Sequence, residues 1–200
     1  FDMDGQHEPR CLYRFMKQIM KTKMDNSLIS GTRYANATYF WRNPWKDRFL
    51  VNCIISAILA LFHIHVTDAF CGMKAFRVRS IEKLELEQNG YEMPLEFWMK
   101  MHQKGMKFSE LPVPLIYKDR DHVLDQQLSE ADIMEKAHYR LEKYIAIINN
   151  YSHKSVIVDH LALFDLFDAF YQENDQITAE NFQEIQNQIN VQIKPIIRKE

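Results

Sequence analysis

The longest apolar stretch of the chain, residues 49–63, is apolar on nearly every side of the helix that its pattern predicts from about Arg48 to Leu61. Such a helix needs other elements packed around it, because none of its faces can meet water without exposing apolar side chains. Asn52 and Ser56 interrupt the stretch, which is shorter than the roughly 20 apolar residues of a membrane-spanning helix. We therefore expect a layered globular fold around this helix, with no segment that spans a membrane.

The composition is that of an ordinary globular protein. Of the 200 residues, 46% are hydrophobic and 26% are charged, and the formal net charge is −2. Binding to duplex nucleic acid requires a clustered basic excess, so this balance gives no reason to expect nucleic acid as a partner. Three cysteines without metal-ligand spacing indicate a reducing compartment. We expect a cytoplasmic protein, with peripheral association with the cytoplasmic face of a membrane as the alternative.

The beginning of the chain has the order strand, helix, strand. Residues 1–7 are typical of a strand end that runs into a loop, and apolar residues at helical spacing follow Pro9. Residues 27–31 are short, apolar and closed by glycine, like a buried strand. This order predicts a crossover unit and an α/β fold.

The middle of the chain predicts further helices and one edge strand. Helices are expected from Ser80 and over residues 94–104. Residues 107–117 alternate between apolar and polar, and Pro112 and Pro114 indicate an edge strand because proline donates no backbone hydrogen bond. The sequence therefore supplies strands and helices for a sheet with packed faces.

The last part of the chain is predicted to be helical. Ser129 and Asp132 have the spacing of a capped helix start, and the helix is expected to run to Asn150. Two more helical patterns cover about residues 155–172 and 179–193. We divide the chain into a first portion, residues 1–150, and a helical extension, residues 151–200.

Two acidic residues at the start of the chain suggest a metal site. Asp2 and Asp4 leave an extended backbone on the same side, and Gln6 continues that row. Three converging oxygen ligands suit a hard cation, Mg²⁺ or Mn²⁺, that keeps open positions for phosphate oxygens. The alternative for two acids at a strand end is a turn or capping role.

These residues belong to a series of motifs that resembles one enzyme family. Residues 2–9 resemble the signature D-A-D-G-Q-H-x-P of family-two inverting glycosyltransferases with the A-type fold, in the branch near dolichyl-phosphate mannose synthase. The resemblance continues, in order, with G-S-R-Y at residues 31–34, R-x-x-x-N at 48–52, D-x-x-C-G-F-K-A-Y-R at 68–77, G-Y-x-F-x-x-E at 90–96 and V-P-I-x-Y-x-x-R at 113–120. It covers about residues 1–145 and implies that residues 1–150 are the C-terminal portion of a glycosyltransferase catalytic domain.

The resemblance implies a Rossmann-like mixed sheet flanked by helices. It also implies transfer of a sugar from a nucleotide-diphosphate donor to a polyprenyl phosphate. Asp2, Asp4 and Gln6 would hold Mg²⁺ or Mn²⁺. The residues expected to bind phosphate groups are Arg33, Arg48, Lys74, Arg77 and Arg120, because guanidinium groups in particular bind phosphate in a bidentate way.

Asp68, Glu96 and Arg120 are the expected catalytic residues. A sugar hydroxyl acceptor needs a general base within hydrogen-bond reach, which one of the two acids would supply. A polyprenyl phosphate is already anionic near neutral pH, since phosphate monoesters have a second pKa of about 6. With that acceptor the two acids would instead order the neighbouring basic residues. Both roles remain open at this point.

The chain also departs from the family. The metal motif begins at residue 2, so we expect a nucleotide-binding portion that would precede it to be missing, and the chain to be a fragment of a longer protein. In the extension, several apolar residues predict core packing, self-association through residues 155–172, or docking on a membrane: Val156, Ile157, Leu161, Phe164, Phe167, Phe170 and Tyr171. A transferase that acts on a sugar hydroxyl in surface-polysaccharide synthesis, and a catalytically silent scaffold, are the alternative functions.

Overall fold

A computed structural model of the chain describes residues 6–22, 27–40, 43–82, 84–116, 128–151 and 156–199. The helices are α1 (Cys11–Lys21), α2 (Lys46–Ala60), α3 (Val78–Ile81), α4 (Met93–Gln103), α5 (Glu130–Tyr151), α6 (His160–Glu173) and α7 (Phe182–Gln192). The strands are β1 (Ser27–Thr32), β2 (Lys74–Phe76), β3 (Lys107–Pro112), β4 (Val156–Val158) and β5 (Ile197–Lys199). The fold is mixed α/β.

The first three strands form a small mixed sheet in the order β2–β1–β3. β1 is parallel to β3, with Ser27 opposite Lys107, and antiparallel to β2, with Leu28 opposite Phe76. The predicted strand at 27–31 and the start of the predicted edge strand at 107–117 are confirmed, and β3 lies at an edge among the described strands.

The two faces of this sheet carry different helices because side chains alternate along β1. Ile29 points into a small cluster with Cys11 and Phe15 of α1. Leu28 points the other way, into the main core that contains α2, α4 and α5. The sheet is therefore covered on one face by α1 and on the other by the larger helical layer.

Helix α2 lies at the centre of the main core. Phe49, Leu50, Ile54 and Ile58 are fully buried, and α2 packs against α5, α6 and α7. Contact on several sides explains the apolar residues all around this helix and confirms the expectation that it is surrounded by other elements. In the part of the chain that the structure describes, no helix is both long and apolar enough to cross a membrane.

The C-terminal residues pack into the same core as the rest of the chain. Phe167, Phe170 and Tyr171 are buried in it, whereas Phe164 is partly buried and Leu161 is 75% exposed. Core packing thus accounts for most of the apolar side chains in this segment that the structure describes. The helix predicted over about 155–172 begins only at His160, because Val156–Val158 instead pairs antiparallel with β5.

Candidate active site: an arginine-lined cavity

A cavity of about 540 Å³ lies beside the C-terminal end of β1. It is bounded by the residues that follow β1, by α2 and α5, and by the loop before α4. The lining residues are Arg33, Tyr34, Arg48, Val51, Asn52, Phe70, Asn89, Gly90, Tyr91, Met93, Pro94, Arg140 and Tyr144. Three of these described lining residues are arginines and none is acidic, so the cavity is suited to bind an anion that carries apolar or planar groups.

Arg33 is held at the cavity by a buried ion pair. Its Nε and Nη2 donate to Oδ2 and Oδ1 of Asp68 at 2.7 and 2.8 Å, and its backbone nitrogen donates to Oδ2 at 3.0 Å. The Asp68 side chain is fully buried, and that of Arg33 is 19% exposed. Burial alone would raise the pKa of Asp68, but the Arg33 guanidinium lowers it below its ordinary value. Asp68 is therefore ionised at neutral pH, and it fixes the direction of Arg33.

The segment that carries Asp68 is itself fixed by side chains from three elements. Asn52 of α2 donates to the Thr67 carbonyl at 2.8 Å and accepts from the Ala69 nitrogen at 2.9 Å. Trp98 of α4 donates to the Ala69 carbonyl at 2.8 Å. Glu110 of β3 accepts hydrogen bonds from the Thr67 backbone nitrogen and hydroxyl, both at 2.9 Å. These hydrogen bonds satisfy backbone groups at Thr67 and at the buried Ala69, and they hold Asp68 in place.

Arg48 and Arg140 are the other two arginines of the cavity. The Arg48 guanidinium lies 4.0 Å from the centre of the Trp45 ring, a cation–π contact at the start of α2. Arg140 projects from α5, and its Nη1 lies 3.3 Å from Oδ2 of Asp47. Both side chains line the cavity, and a guanidinium group there is suited to donate hydrogen bonds to a bound oxyanion.

Arg140 was not among the residues singled out in the sequence, although a signal was present. It lies three residues after Ala137 and four before Tyr144, two residues whose helical spacing predicts that they share the buried face of this helix. A charged residue on the core side of an amphipathic helix is unusual and marks a possible site. Tyr144 lines the cavity next to it, and burial raises the pKa of this tyrosine to about 12, so its hydroxyl stays protonated.

Glu96 lies behind the cavity wall. It is fully buried in α4 and accepts hydrogen bonds from the backbone nitrogens of Glu87 and Gln88 and from the hydroxyl of Tyr151, at 2.8–3.0 Å. It also pairs with Lys100 at 2.7 Å. Burial acts to raise its pKa, but these partners outweigh burial and lower the pKa to about 2. Glu96 therefore fixes the loop that leads to the lining residues 89–91.

Lys74 and Arg77, which were also expected to bind phosphate, are not among the residues that line the cavity. Lys74 Nζ contacts the Cys71 carbonyl and lies 5.2 Å from the centre of the Trp98 ring, and its charge also lowers the pKa of Asp68. Arg77 Nη2 donates to the carbonyls of Ile19 and Thr22, at 3.3 and 3.0 Å, near the C-terminal end of α1. Of the five basic residues expected to bind phosphate, Arg33 and Arg48 line the cavity. Lys74 lies near Asp68, which holds Arg33 in place, whereas Arg77 contacts the end of α1.

The expected metal ligands are only partly described. Asp2 and Asp4 lie outside the described residues, as does Arg120, while Gln6 lies in the segment before α1. Within the described ranges, no group of three His, Cys, Asp or Glu side chains is arranged to hold a metal ion. The metal expectation consequently rests on Asp2, Asp4 and Gln6 as a sequence pattern.

Comparison with known proteins adds one relative. No protein-family model matches the chain, and no solved structure matches it. The chain is 28% identical over 124 residues to the uncharacterized protein MJ1222 of Methanocaldococcus jannaschii. The aligned part is 60% of this chain and 49% of that relative, so the chain spans about half the length of the relative that it matches. The name of that protein gives no activity, so only the site itself bears on function.

Proposed function

We propose that this protein is a metal-dependent inverting glycosyltransferase of the A-type fold that transfers a sugar from a nucleotide-diphosphate donor to a polyprenyl phosphate. The observation that supports this most strongly is the single cavity that Arg33, Arg48 and Arg140 all line, with no acidic residue among the described lining residues. Two of these arginines belong to the motifs that resemble the family. Gly90 and Tyr91, from a third motif, line the same cavity.

Phosphate binding follows from the charges of the cavity. An arginine donates two parallel hydrogen bonds to phosphate oxygens, and such bonds are stronger in a cavity from which water is largely displaced. Asp68 keeps the Arg33 guanidinium in one orientation through the 2.7 and 2.8 Å contacts, so less side-chain entropy is lost when a ligand binds. Tyr34, Phe70 and Tyr91 supply apolar surface for the part of the ligand next to the phosphate.

The reaction that we propose is an in-line displacement. An oxygen of the acceptor phosphate forms a bond to the anomeric carbon of the sugar, and the bond from that carbon to the donor diphosphate breaks. Arg33, Arg48 and Arg140 bind and orient the anionic groups throughout. Mg²⁺ or Mn²⁺, held by Asp2, Asp4 and Gln6, would supply charge neutralisation for the departing diphosphate.

The state of the two acids favours the phosphate acceptor over a hydroxyl acceptor. Both oxygens of Asp68 are bound to Arg33, and Glu96 lies behind the wall with a pKa of about 2. A general base works best when its pKa lies near the working pH, so neither acid is suited to deprotonate a hydroxyl. A phosphate acceptor does not need that step.

The test measures sugar transfer by the full-length protein from a panel of nucleotide-diphosphate sugars. Polyprenyl phosphate is compared with the matching polyprenol, in Mn²⁺ and after chelation. We expect transfer to the phosphate alone, dependent on the metal, and abolished in Asp2→Ala and Asp4→Ala. Transfer to the alcohol would indicate the hydroxyl-acceptor alternative. Absence of transfer from every donor, with phosphate ligands still bound, would indicate a silent scaffold.

A further inference from the structure

Helix α1 has an outward face with two adjacent stripes of different character. Tyr13, Met16 and Met20, spaced by three and four residues, are 69%, 59% and 75% exposed. Arg10, Lys17 and Lys21 are exposed beside them, at positions that fall next to this stripe on a helical projection. Three large apolar side chains next to three cations are arranged as in helices that lie on a membrane surface.

The orientation of α1 is fixed by its inner face. Cys11 and Phe15 are buried against Ile29 of β1, which directs Tyr13 and Met20 away from the sheet. Arg14 Nη1 donates to the Pro112 carbonyl at 3.0 Å and ties the helix to β3. The apolar stripe is therefore presented by a helix that is already packed in place, and its exposure does not come from an undocked element.

The charge of α1 identifies the kind of surface that it fits. The segment Cys11–Lys21 contains Arg14, Lys17 and Lys21 and no acidic residue, in a chain whose formal net charge is −2. Glu8 precedes the helix, with Oε1 3.8 Å from Arg10 Nε. A local cationic excess in a chain of opposite net charge is complementary to anionic lipid headgroups, while the exposed methionines and tyrosine fit the headgroup–acyl boundary.

We propose that α1 docks on an anionic membrane surface through Tyr13, Met16 and Met20, with Lys17 and Lys21 against the lipid headgroups. The proposal concerns a face of the protein other than the cavity, because α1 covers the sheet face opposite the main core. It does not depend on the transferase activity, since lipid binding is measured without donor or acceptor.

The experiment is co-sedimentation of the full-length protein with phosphatidylcholine vesicles and with vesicles of phosphatidylcholine mixed with phosphatidylglycerol. We expect binding to the mixed vesicles that weakens as salt is added, because exposed charges are screened. Lys17→Ala and Lys21→Ala should each lower the partition coefficient roughly fivefold, which corresponds to about 1 kcal/mol per cation near an anionic surface. Met16→Ser with Met20→Ser should lower it further.

Two matched variants serve as controls on other helices. Leu161→Ser on α6 removes a side chain that is 75% exposed, and Lys143→Ala on α5 removes an exposed cation. Both should bind mixed vesicles as the unaltered protein does. The proposal is overturned if the protein does not co-sediment with mixed vesicles, or if the α1 variants and the control variants bind to them equally well. It is equally overturned if the protein is a dimer in solution that Met16→Ser with Met20→Ser converts to a monomer, since a second copy would then cover this face.

Discussion

Arg33 and Asp68 form a two-point ion pair, with contacts of 2.7 and 2.8 Å, in which the carboxylate is fully buried. The two residues come from different motifs, 35 positions apart, and each has little access to water. A buried pair of this kind is costly to break from one side, because the remaining charge keeps its desolvation penalty without its partner. This pair therefore links the stability of the fold to the shape of the cavity.

The first prediction concerns loss of that pair. Asp68→Asn should lower the free energy of unfolding by about 3–5 kcal/mol, the usual cost of leaving one buried charge unpaired. Arg33→Met combined with Asp68→Asn should recover part of the loss, because no charge then remains buried. Urea unfolding of the three proteins measures both differences. Equal stability of Asp68→Asn and the unaltered protein would show that the pair is not buried in solution.

A second prediction concerns the close approach of β1 to the loop before β2. A Cβ at Gly31 would lie 2.6 Å from Cys71 Sγ and 3.3 Å from the Met73 carbonyl oxygen, to which the Gly31 nitrogen donates at 2.7 Å. Gly31→Ala should therefore destabilise the protein by about 1–3 kcal/mol, the range for overpacking. Adding Cys71→Ala should return part of this loss in the same denaturation assay. No change of the unfolding midpoint in Gly31→Ala would contradict the contact.

The third prediction assigns a binding role to Arg140. Arg140→Met keeps the apolar stem and removes the charge-assisted hydrogen bonds, so the dissociation constants for pyrophosphate and for a polyprenyl phosphate should rise about tenfold or more. Lys136→Met is the matched control, because Lys136 is an exposed cation one turn earlier on α5. Isothermal titration calorimetry measures both variants. If the two substitutions raised the dissociation constants equally, Arg140 would contribute only through the net charge of the protein and not through contact with the ligand.

Much of the helical architecture could be predicted because its signals are local. The start of α5 is an example, in which Ser129 Oγ lies 2.6 Å from Asp132 Oδ2 and accepts from the Asp132 nitrogen at 3.2 Å, as the capping pattern predicts. The uniform apolar character of α2 likewise predicted its burial. These features depend on residues a few positions apart.

The short strands could not be predicted in this way. Three residues are too few for a periodic pattern, and β4 becomes a strand only because Val156 lies opposite Lys199. The same reason explains why Glu110 was missed. It sits on β3 like an ordinary surface acid, and its role follows from the Thr67 backbone that folding brings against it. In both cases the structure depends on a partner that is distant in the sequence.

The candidate site could likewise be predicted only in part from the sequence. Motif resemblance selected Arg33, Arg48, Asp68 and Glu96, and the structure brings the two arginines to one cavity while the acids lie behind it. Sequence alone left open whether the acids act on protons or on neighbouring groups. That choice depends on hydrogen-bond partners such as Tyr151, which lies 55 positions from Glu96.

The stability contributed by Glu96 should depend on pH in a defined window. Its pKa falls from 4.5 to about 2 in the folded protein, so the carboxylate favours the folded state at any pH above the unfolded value. The contribution is lost as the pH falls from about 4.5 towards 2. Urea unfolding of the unaltered protein and of Glu96→Gln should therefore give a difference of about 1–3 kcal/mol at neutral pH that shrinks below pH 4.5. A difference that grew on acidification would contradict this sign.

The last prediction separates a supporting role of Glu96 from a catalytic one. Glu96→Gln keeps an oxygen acceptor for the Glu87 and Gln88 nitrogens but loses the charge that pairs with Lys100. If Glu96 only fixes the loop to Gly90, kcat/KM for transfer to a polyprenyl phosphate should fall less than about tenfold, since loss of a true general base costs about 10²–10⁴. The pH profile of the variant should keep the shape of the unaltered profile, because a carboxylate with a pKa of about 2 does not titrate in the working range. A loss of a hundredfold or more, together with loss of the acidic limb of the profile, would instead make Glu96 a general base in the transfer.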